Sequence, residues 1–115
     1  MTNSTLRPAV PCLMTAGLLL IAAMGPAAAQ SFDCAKATTA AEIAVCDNEQ
    51  LAAADLELAR IYKEVLDQSS DPATLKTEQR EWIVQRDACG GDRDCLTGAY
   101  ARRHDELGLS LTAGE

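Results

Sequence analysis

The sequence predicts a small all-α protein: a disulfide-bonded bundle of about four helices, one short and three longer, with no sheet. Apolar residues recur every three or four positions along several segments, which is the spacing of an amphipathic helix. Polar capping residues, Pro72 and the Gly90-Gly91 pair separate those segments. No segment alternates apolar and polar residues as a half-buried strand does.

The first 29 residues have the features of a cleaved signal peptide. Arg7 supplies a positive start, residues 13–24 form an apolar run too short for a comfortable membrane span, and residues 27–29 are the small residues of a cleavage site. Cys12 precedes the apolar run, whereas a lipidated cysteine follows it. We therefore expect export to the periplasm or beyond, with no membrane anchor after cleavage.

The mature chain is expected to begin at Gln30 and to form one helical domain over residues 30–115, with a frayed tail at 109–115. Without Arg7 it carries nine Lys and Arg against 17 Asp and Glu, a net charge of -8. Such a surface repels nucleic acid and anionic lipid, and it attracts a cationic protein. Solubility alone is the simpler explanation of that charge.

The first helix is predicted over residues 40–46, because Thr39 and Glu42 have the spacing of a capping box. Its expected core-facing residues are Ile43 and Cys46, which are three positions apart.

The second helix is predicted over residues 49–67, after a break at Asp47-Asn48 that can cap it. Leu51, Leu58 and Val65 lie on its apolar stripe, and Asp55 falls along the edge of that stripe.

The third helix is predicted from Pro72 to Cys89, with Asp71 as its cap and Gly90-Gly91 as its end. Its inward face combines two polar with two apolar residues at helical spacing: Gln79, Trp82, Ile83 and Arg86.

The fourth helix is predicted to begin at Asp92 or Asp94 and to end at Gly108. Its apolar face includes an arginine, and the residues on that face are Cys95, Leu96, Tyr100, Arg103 and Leu107.

An even set of cysteines in a small exported chain favours two disulfides. The favoured pairs are Cys34 with Cys46 and Cys89 with Cys95, because the second pair brackets a short turn and the lead-in before the first helix can fold back along it. Pairing across helices stays open, since loop-closure entropy grows slowly with loop length. No Cys-x-x-Cys pair occurs, so neither a zinc site nor another cofactor is expected.

Two further groups are predicted to be structural. The first group is polar. Because a buried charge needs a partner, we expect its members to form a polar brace between packed helices; they are Asp55, Gln79, Arg86 and Arg103. The second group is aromatic. Aromatic residues at helical spacing in a small domain usually belong to the core, so we expect Tyr62, Trp82 and Tyr100 to be core residues. The alternatives are that the polar residues line a functional groove and that Trp82 is an exposed binding anchor.

The ordered cysteines and the residues between them resemble the LprI-type lysozyme inhibitor family. The resemblance covers nearly all of the mature chain and rests on an ordered set of residues: Phe32-Asp33-Cys34, Glu42, Cys46, Leu51, Asp55, Tyr62, Gln79, Trp82, Arg86-Asp87, Cys89, Cys95-Leu96, Tyr100 and Arg103. It implies an exported, disulfide-bonded helical domain with lysozyme inhibition as its activity.

Two functions are compatible with these features, and neither is enzymatic. The first is inhibition of a cationic lysozyme by protein–protein contact, with the contact made by two ordered loops: Gly90, Gly91, Asp92, Arg93 and Asp94, and Ser69, Ser70 and Asp71. The alternative is a structural or envelope-maintenance protein that binds another exported protein. A catalytic role is not expected, because the single histidine, His104, lies on a charged stretch.

Overall fold

The computed structural model describes residues 31–114 and the isolated positions 9, 11 and 17; the predicted signal peptide otherwise lies outside the described residues. One 3-10 turn precedes four helices, whose bounds are Cys34–Lys36 for the turn, then Ala40–Asp47 (α1), Glu49–Gln68 (α2), Pro72–Ala88 (α3) and Arg93–Ala113 (α4). Residues 31–114 contain no strand. The predicted all-α class is confirmed.

Each helix begins at a side-chain cap that the sequence indicated. Thr39, Asn48, Asp71 and Asp92 each accept a hydrogen bond from the backbone N–H three residues later, at donor–acceptor distances between 2.9 and 3.2 Å. Pro72 occupies the first turn of α3, where its missing N–H costs nothing. Such caps each contribute about 1 kcal/mol of stability, and here they fix where every helix starts.

α4 packs mainly along α2, and α1 lies across α2 and α3. The N-terminal halves of α2 and α4 meet, as do their C-terminal ends beside the α2–α3 loop, so the two helices run in the same direction. The buried core is contributed by all four helices, through Ala41, Val45, Leu51, Leu58, Ile61, Val65, Leu75, Trp82, Leu96, Tyr100 and Leu107.

The prediction that Ile43 and Cys46 face the core was wrong, because a different face of α1 is buried. Ile43 is 48% exposed and Cys46 is half-buried, whereas Ala41 and Val45 are fully buried. Ala41 and Val45 are four positions apart and so lie on one face of the helix. That face, and not the one with Ile43, is the buried face of this short helix.

The predicted end of the fourth helix at Gly108, with a frayed tail from residue 109, was also wrong. α4 continues through Gly108 as far as Ala113. Leu111 packs against the core one turn after the buried Leu107, so packing offsets the roughly 1 kcal/mol by which glycine disfavours a helix interior.

The structure contains the favoured disulfides, Cys34–Cys46 and Cys89–Cys95, with Cα atoms 5.9 and 5.6 Å apart. The first joins the 3-10 turn to the end of α1, and the second joins the end of α3 to the start of α4. The helix directions place both at the same end of the bundle. None of the described helices is long and apolar enough to cross a membrane.

We expect Leu107→Ala to lower the free energy of unfolding by about 2 to 5 kcal/mol, because this side chain is only 1% exposed and its removal leaves a cavity. Leu109→Ala, in the same helix but at a position that is 69% exposed, is the matched control and should change it by less than about 0.5 kcal/mol. Urea denaturation with the disulfides intact measures both. Equal losses in the two variants would contradict this packing of α4.

Candidate functional site

A buried carboxylate lies at the centre of the bundle. Asp55 of α2 is only 4% exposed, and its Oδ1 accepts a hydrogen bond of 2.8 Å from the hydroxyl of Tyr100 in α4. Its Oδ2 accepts from both the backbone N–H and the hydroxyl of Ser31, the latter at 2.6 Å. Three donors therefore satisfy the carboxylate and join α2, α4 and the N-terminal lead-in.

Tyr100 is held on two sides. Trp82 of α3 packs edge-on against its ring, with ring centroids 5.2 Å apart, and donates its indole N–H to the carbonyl of Ala99 at 3.2 Å. Burial, together with the Asp55 carboxylate, raises the pKa of the Tyr100 phenol above its ordinary value. Tyr62, the third of the aromatic residues predicted to be core, is half-buried and packs against the core from α2.

Arg86 stabilises the α3 side of this centre. Its guanidinium donates to Oδ1 of Asp87 through Nε at 3.0 Å and Nη2 at 2.8 Å. It also lies 5.7 Å from the Trp82 ring centroid and 6.0 Å from that of Phe32. Burial disfavours its charge, but Asp87 and the neighbouring Tyr100 outweigh that effect and raise the pKa of Arg86.

Arg103 of α4 is also buried, with only 6% of its surface exposed. Its Nε donates to Oε1 of Gln79 in α3 at 3.1 Å, and its Nη1 donates to Oε2 of Glu106 at 3.0 Å. Its Nη2 is buried and has no hydrogen-bond partner among the described residues. One donor of this buried guanidinium is therefore unsatisfied.

The residues predicted as one brace thus occupy two separate clusters in the structure. Gln79 and Arg103 contact each other directly, whereas Asp55 is bound by Tyr100 and Ser31, and Arg86 by Asp87. The structure also differs from the prediction at Ile83. This residue was predicted on the inward face of α3, but its side chain is 37% exposed.

Sequence reasoning missed four of the partners: Ser31, Tyr100, Asp87 and Glu106. One of them had a local signal, because Glu106 lies one helical turn after Arg103, whereas adjacent helical residues such as Arg86 and Asp87 do not ordinarily face each other. Ser31 had none, since it is 24 residues from Asp55 and only the fold brings the two together.

The two loops predicted as contact surfaces lie at opposite ends of α3. The 17 residues of that helix separate them by about 25 Å, so they do not form one compact patch. In the first loop, Gly90 adopts a φ of +58°, which only glycine takes readily, and the Cys89–Cys95 disulfide ties the turn. The second, Ser69 to Asp71, borders a cleft of about 630 Å³ beside the C-terminal turns of α4.

A further groove lies between α3 and α4. We call it the α3–α4 groove and define it by six lining residues: Glu78, Glu81, Trp82, Gln85, Arg103 and Glu106. Its volume is about 370 Å³. Of these residues, Glu78 also borders the cleft beside the α2–α3 loop, and Gln85 and Arg103 border a smaller cavity, about 110 Å³, next to the Cys89–Cys95 disulfide.

Comparison with known proteins identifies the family. The family described as "Lysozyme inhibitor LprI" matches residues 33–108. The chain belongs to the LprI family. Lipoprotein LprI of Mycobacterium bovis and of two strains of Mycobacterium tuberculosis are 35% identical to it over 88 residues, which cover 74% of this chain and 44% of each relative. The chain therefore spans under half the length of those relatives. No solved structure matches it.

The single histidine of this LprI-family chain, His104, lies near two carboxylates. The nitrogens of His104 lie 3.9 Å from carboxylate oxygens of Glu57 and Asp105, beyond hydrogen-bond distance, and both carboxylates are exposed. Within residues 31–114, no three His, Cys, Asp or Glu side chains are placed to hold a metal ion.

We expect the stability of this LprI-family domain to fall more steeply at alkaline pH than that of its Tyr100→Phe variant. Because the Tyr100 pKa is raised in the folded state, its contribution is present below the ordinary tyrosine pKa of about 10 and is lost as pH rises through the folded value. Between about pH 8 and pH 11 the wild-type protein should lose about 1 kcal/mol more than the variant, measured by urea denaturation.

The Tyr100→Phe variant should itself be about 1 to 3 kcal/mol less stable near neutral pH, because Oδ1 of Asp55 loses its donor. Leu107→Ala, which is destabilised but retains the tyrosine, is the control and should keep the wild-type pH slope. If Tyr100→Phe keeps that slope as well, the proposed role of the phenol is wrong.

Arg86→Ala should lower the free energy of unfolding by about 2 to 4 kcal/mol, because it removes the partner of the half-buried Asp87 and the packing over Trp82. Arg80→Ala, an exposed arginine of the same helix, should change it by less than about 0.5 kcal/mol. Thermal melts of both variants test this. An unchanged melting temperature combined with lost partner binding would instead make Arg86 a contact residue.

Proposed function

We propose that this chain is an exported, acidic binding protein that inhibits a cationic lysozyme by protein–protein contact. The observation that carries the proposal is membership of the LprI lysozyme inhibitor family over residues 33–108, which is nearly the whole helical domain. The relatives are named lipoproteins, which supports export, to the periplasm or the exterior.

The charge of the chain supports the same function. The predicted mature chain has a net charge of -8, so its field attracts a cationic protein and accelerates encounter with it. Some of the acidic residues are paired with basic ones. On α2, Glu57 and Glu64 pair with Arg60, and Asp67 pairs with Lys63, at distances of 2.6 to 3.2 Å.

The scaffold also suits binding more than catalysis. Four capped helices and two disulfides in a small domain keep its surface fixed before a partner arrives, which reduces the entropy lost on binding. The carboxylates nearest to His104, those of Glu57 and Asp105, are both exposed and lie 3.9 Å from its ring nitrogens.

We expect the purified mature protein to inhibit at least one lysozyme in a cell-wall clearing assay run across a panel of lysozyme types. Inhibition should weaken by roughly tenfold or more between about 50 and 500 mM salt, because screening shortens the range of the attraction.

The control is a lysozyme of the same type whose lysines have been acetylated, which removes positive charge and should reduce binding. Failure to inhibit any type would refute inhibition by this domain. That result would favour the alternative, a structural or envelope-maintenance protein.

A further inference from the structure

The carboxylates along α3 differ from those along α2. Glu78 and Glu81 form no ion pair with any described residue, although both line the α3–α4 groove. They are one helical turn apart, so their like charges repel each other in the free protein. A cation placed between them would relieve that repulsion.

Arg103, whose Nη2 has no partner among the described residues, also lines this groove. Nη2 is buried without a partner, while Nε and Nη1 of the same guanidinium are occupied by Gln79 and Glu106. Leaving a charged donor unsatisfied is costly, so an acceptor that reaches it gains free energy. Gln85 and Glu106 border this position and are exposed, so a change of their rotamers can admit an acceptor.

The surrounding charge determines which acceptor fits. Glu78, Glu81 and Glu106 line the groove against the single positive charge of Arg103, so the local balance is negative and an incoming carboxylate or phosphate is disfavoured. A neutral carbonyl oxygen meets no such repulsion. A peptide segment bearing a basic side chain supplies both a cation and a carbonyl oxygen.

We propose that the α3–α4 groove is the surface that receives a cationic protein partner. A Lys or Arg side chain of the partner lies against Glu78 and Glu81, and a backbone carbonyl oxygen of the same segment accepts a hydrogen bond from Nη2 of Arg103. The inference rests on the proposed function in naming a cationic lysozyme as the partner. It places the contact along α3 rather than on the two loops at its ends.

Two neighbouring positions on α3 provide the test. Gln85 lines the groove, whereas Val84, the next residue along the chain, is 70% exposed and does not line it. Gln85→Arg and Val84→Arg add the same charge at exposed helical positions, so neither should prevent folding. Only the arginine at position 85 can occupy the acidic groove itself.

The first probe is the lysozyme that the wild-type protein inhibits, with its dissociation constant measured by calorimetry. Gln85→Arg should weaken binding at least about tenfold, and Val84→Arg by less than about threefold. Equal effects of the two variants, with inhibition intact, would overturn the groove assignment while the proposed function stands.

The second probe is a peptide of six lysines, capped at both ends and free of aromatic residues. Trp82, the only tryptophan of the chain, lines the groove, so its fluorescence reports occupancy. Binding that Gln85→Arg removes and Val84→Arg keeps supports the groove, even if no lysozyme is inhibited. A peptide that leaves the Trp82 emission unchanged, or that both variants bind equally, overturns it.

Paired substitutions separate the local from the general effect of charge. Glu78→Gln with Glu81→Gln should weaken peptide binding roughly tenfold, whereas the control pair, Glu64→Gln with Asp105→Asn, changes the net charge equally outside the groove and should weaken it less than about threefold. Equal weakening by the two pairs would show non-specific attraction and would overturn the proposal.

Discussion

The hydrogen bonds to the buried carboxylate of Asp55 are the constraint on which the rest of the structure depends. A carboxylate removed from water costs several kcal/mol unless donors replace its hydration. The donors here are Tyr100 from α4 and Ser31 from the lead-in, so the cost is met only when both segments occupy their positions. The need to satisfy this carboxylate therefore specifies how α2, α4 and the lead-in are arranged, which apolar packing alone would define less closely.

The position of α4 on α2 also determines where α3 packs. Trp82 packs against Tyr100 and binds the carbonyl of Ala99, which fixes α3 on the flank of α4. Arg103 leaves α4 on that flank and reaches Gln79 across the gap. The α3–α4 groove is therefore a consequence of the same contacts that form the core, and its walls belong to two mutually fixed helices.

The starts of the helices could be predicted because the signal is local. Asn48 and Asp71 cap helices through side chains that lie within the same turn, so spacing alone identifies them. The end of α4 could not be predicted from Gly108, because Leu111 contributes packing that a local glycine signal does not contain. The partner of Asp55 was equally inaccessible, since the choice between Tyr100 and an arginine depends on which helix faces meet.

The two disulfides lie at one end of the bundle, whereas the cleft beside the α2–α3 loop lies at the other. A cross-link lowers the entropy of the unfolded chain wherever it lies, but in the folded state it restrains mainly the residues near it. The linked end is therefore fixed covalently, and the opposite end only by packing of residues such as Val65 and Leu75. Glu78 of the α3–α4 groove also borders the cleft at the unlinked end, so a partner in the groove lies beside residues that no cross-link restrains.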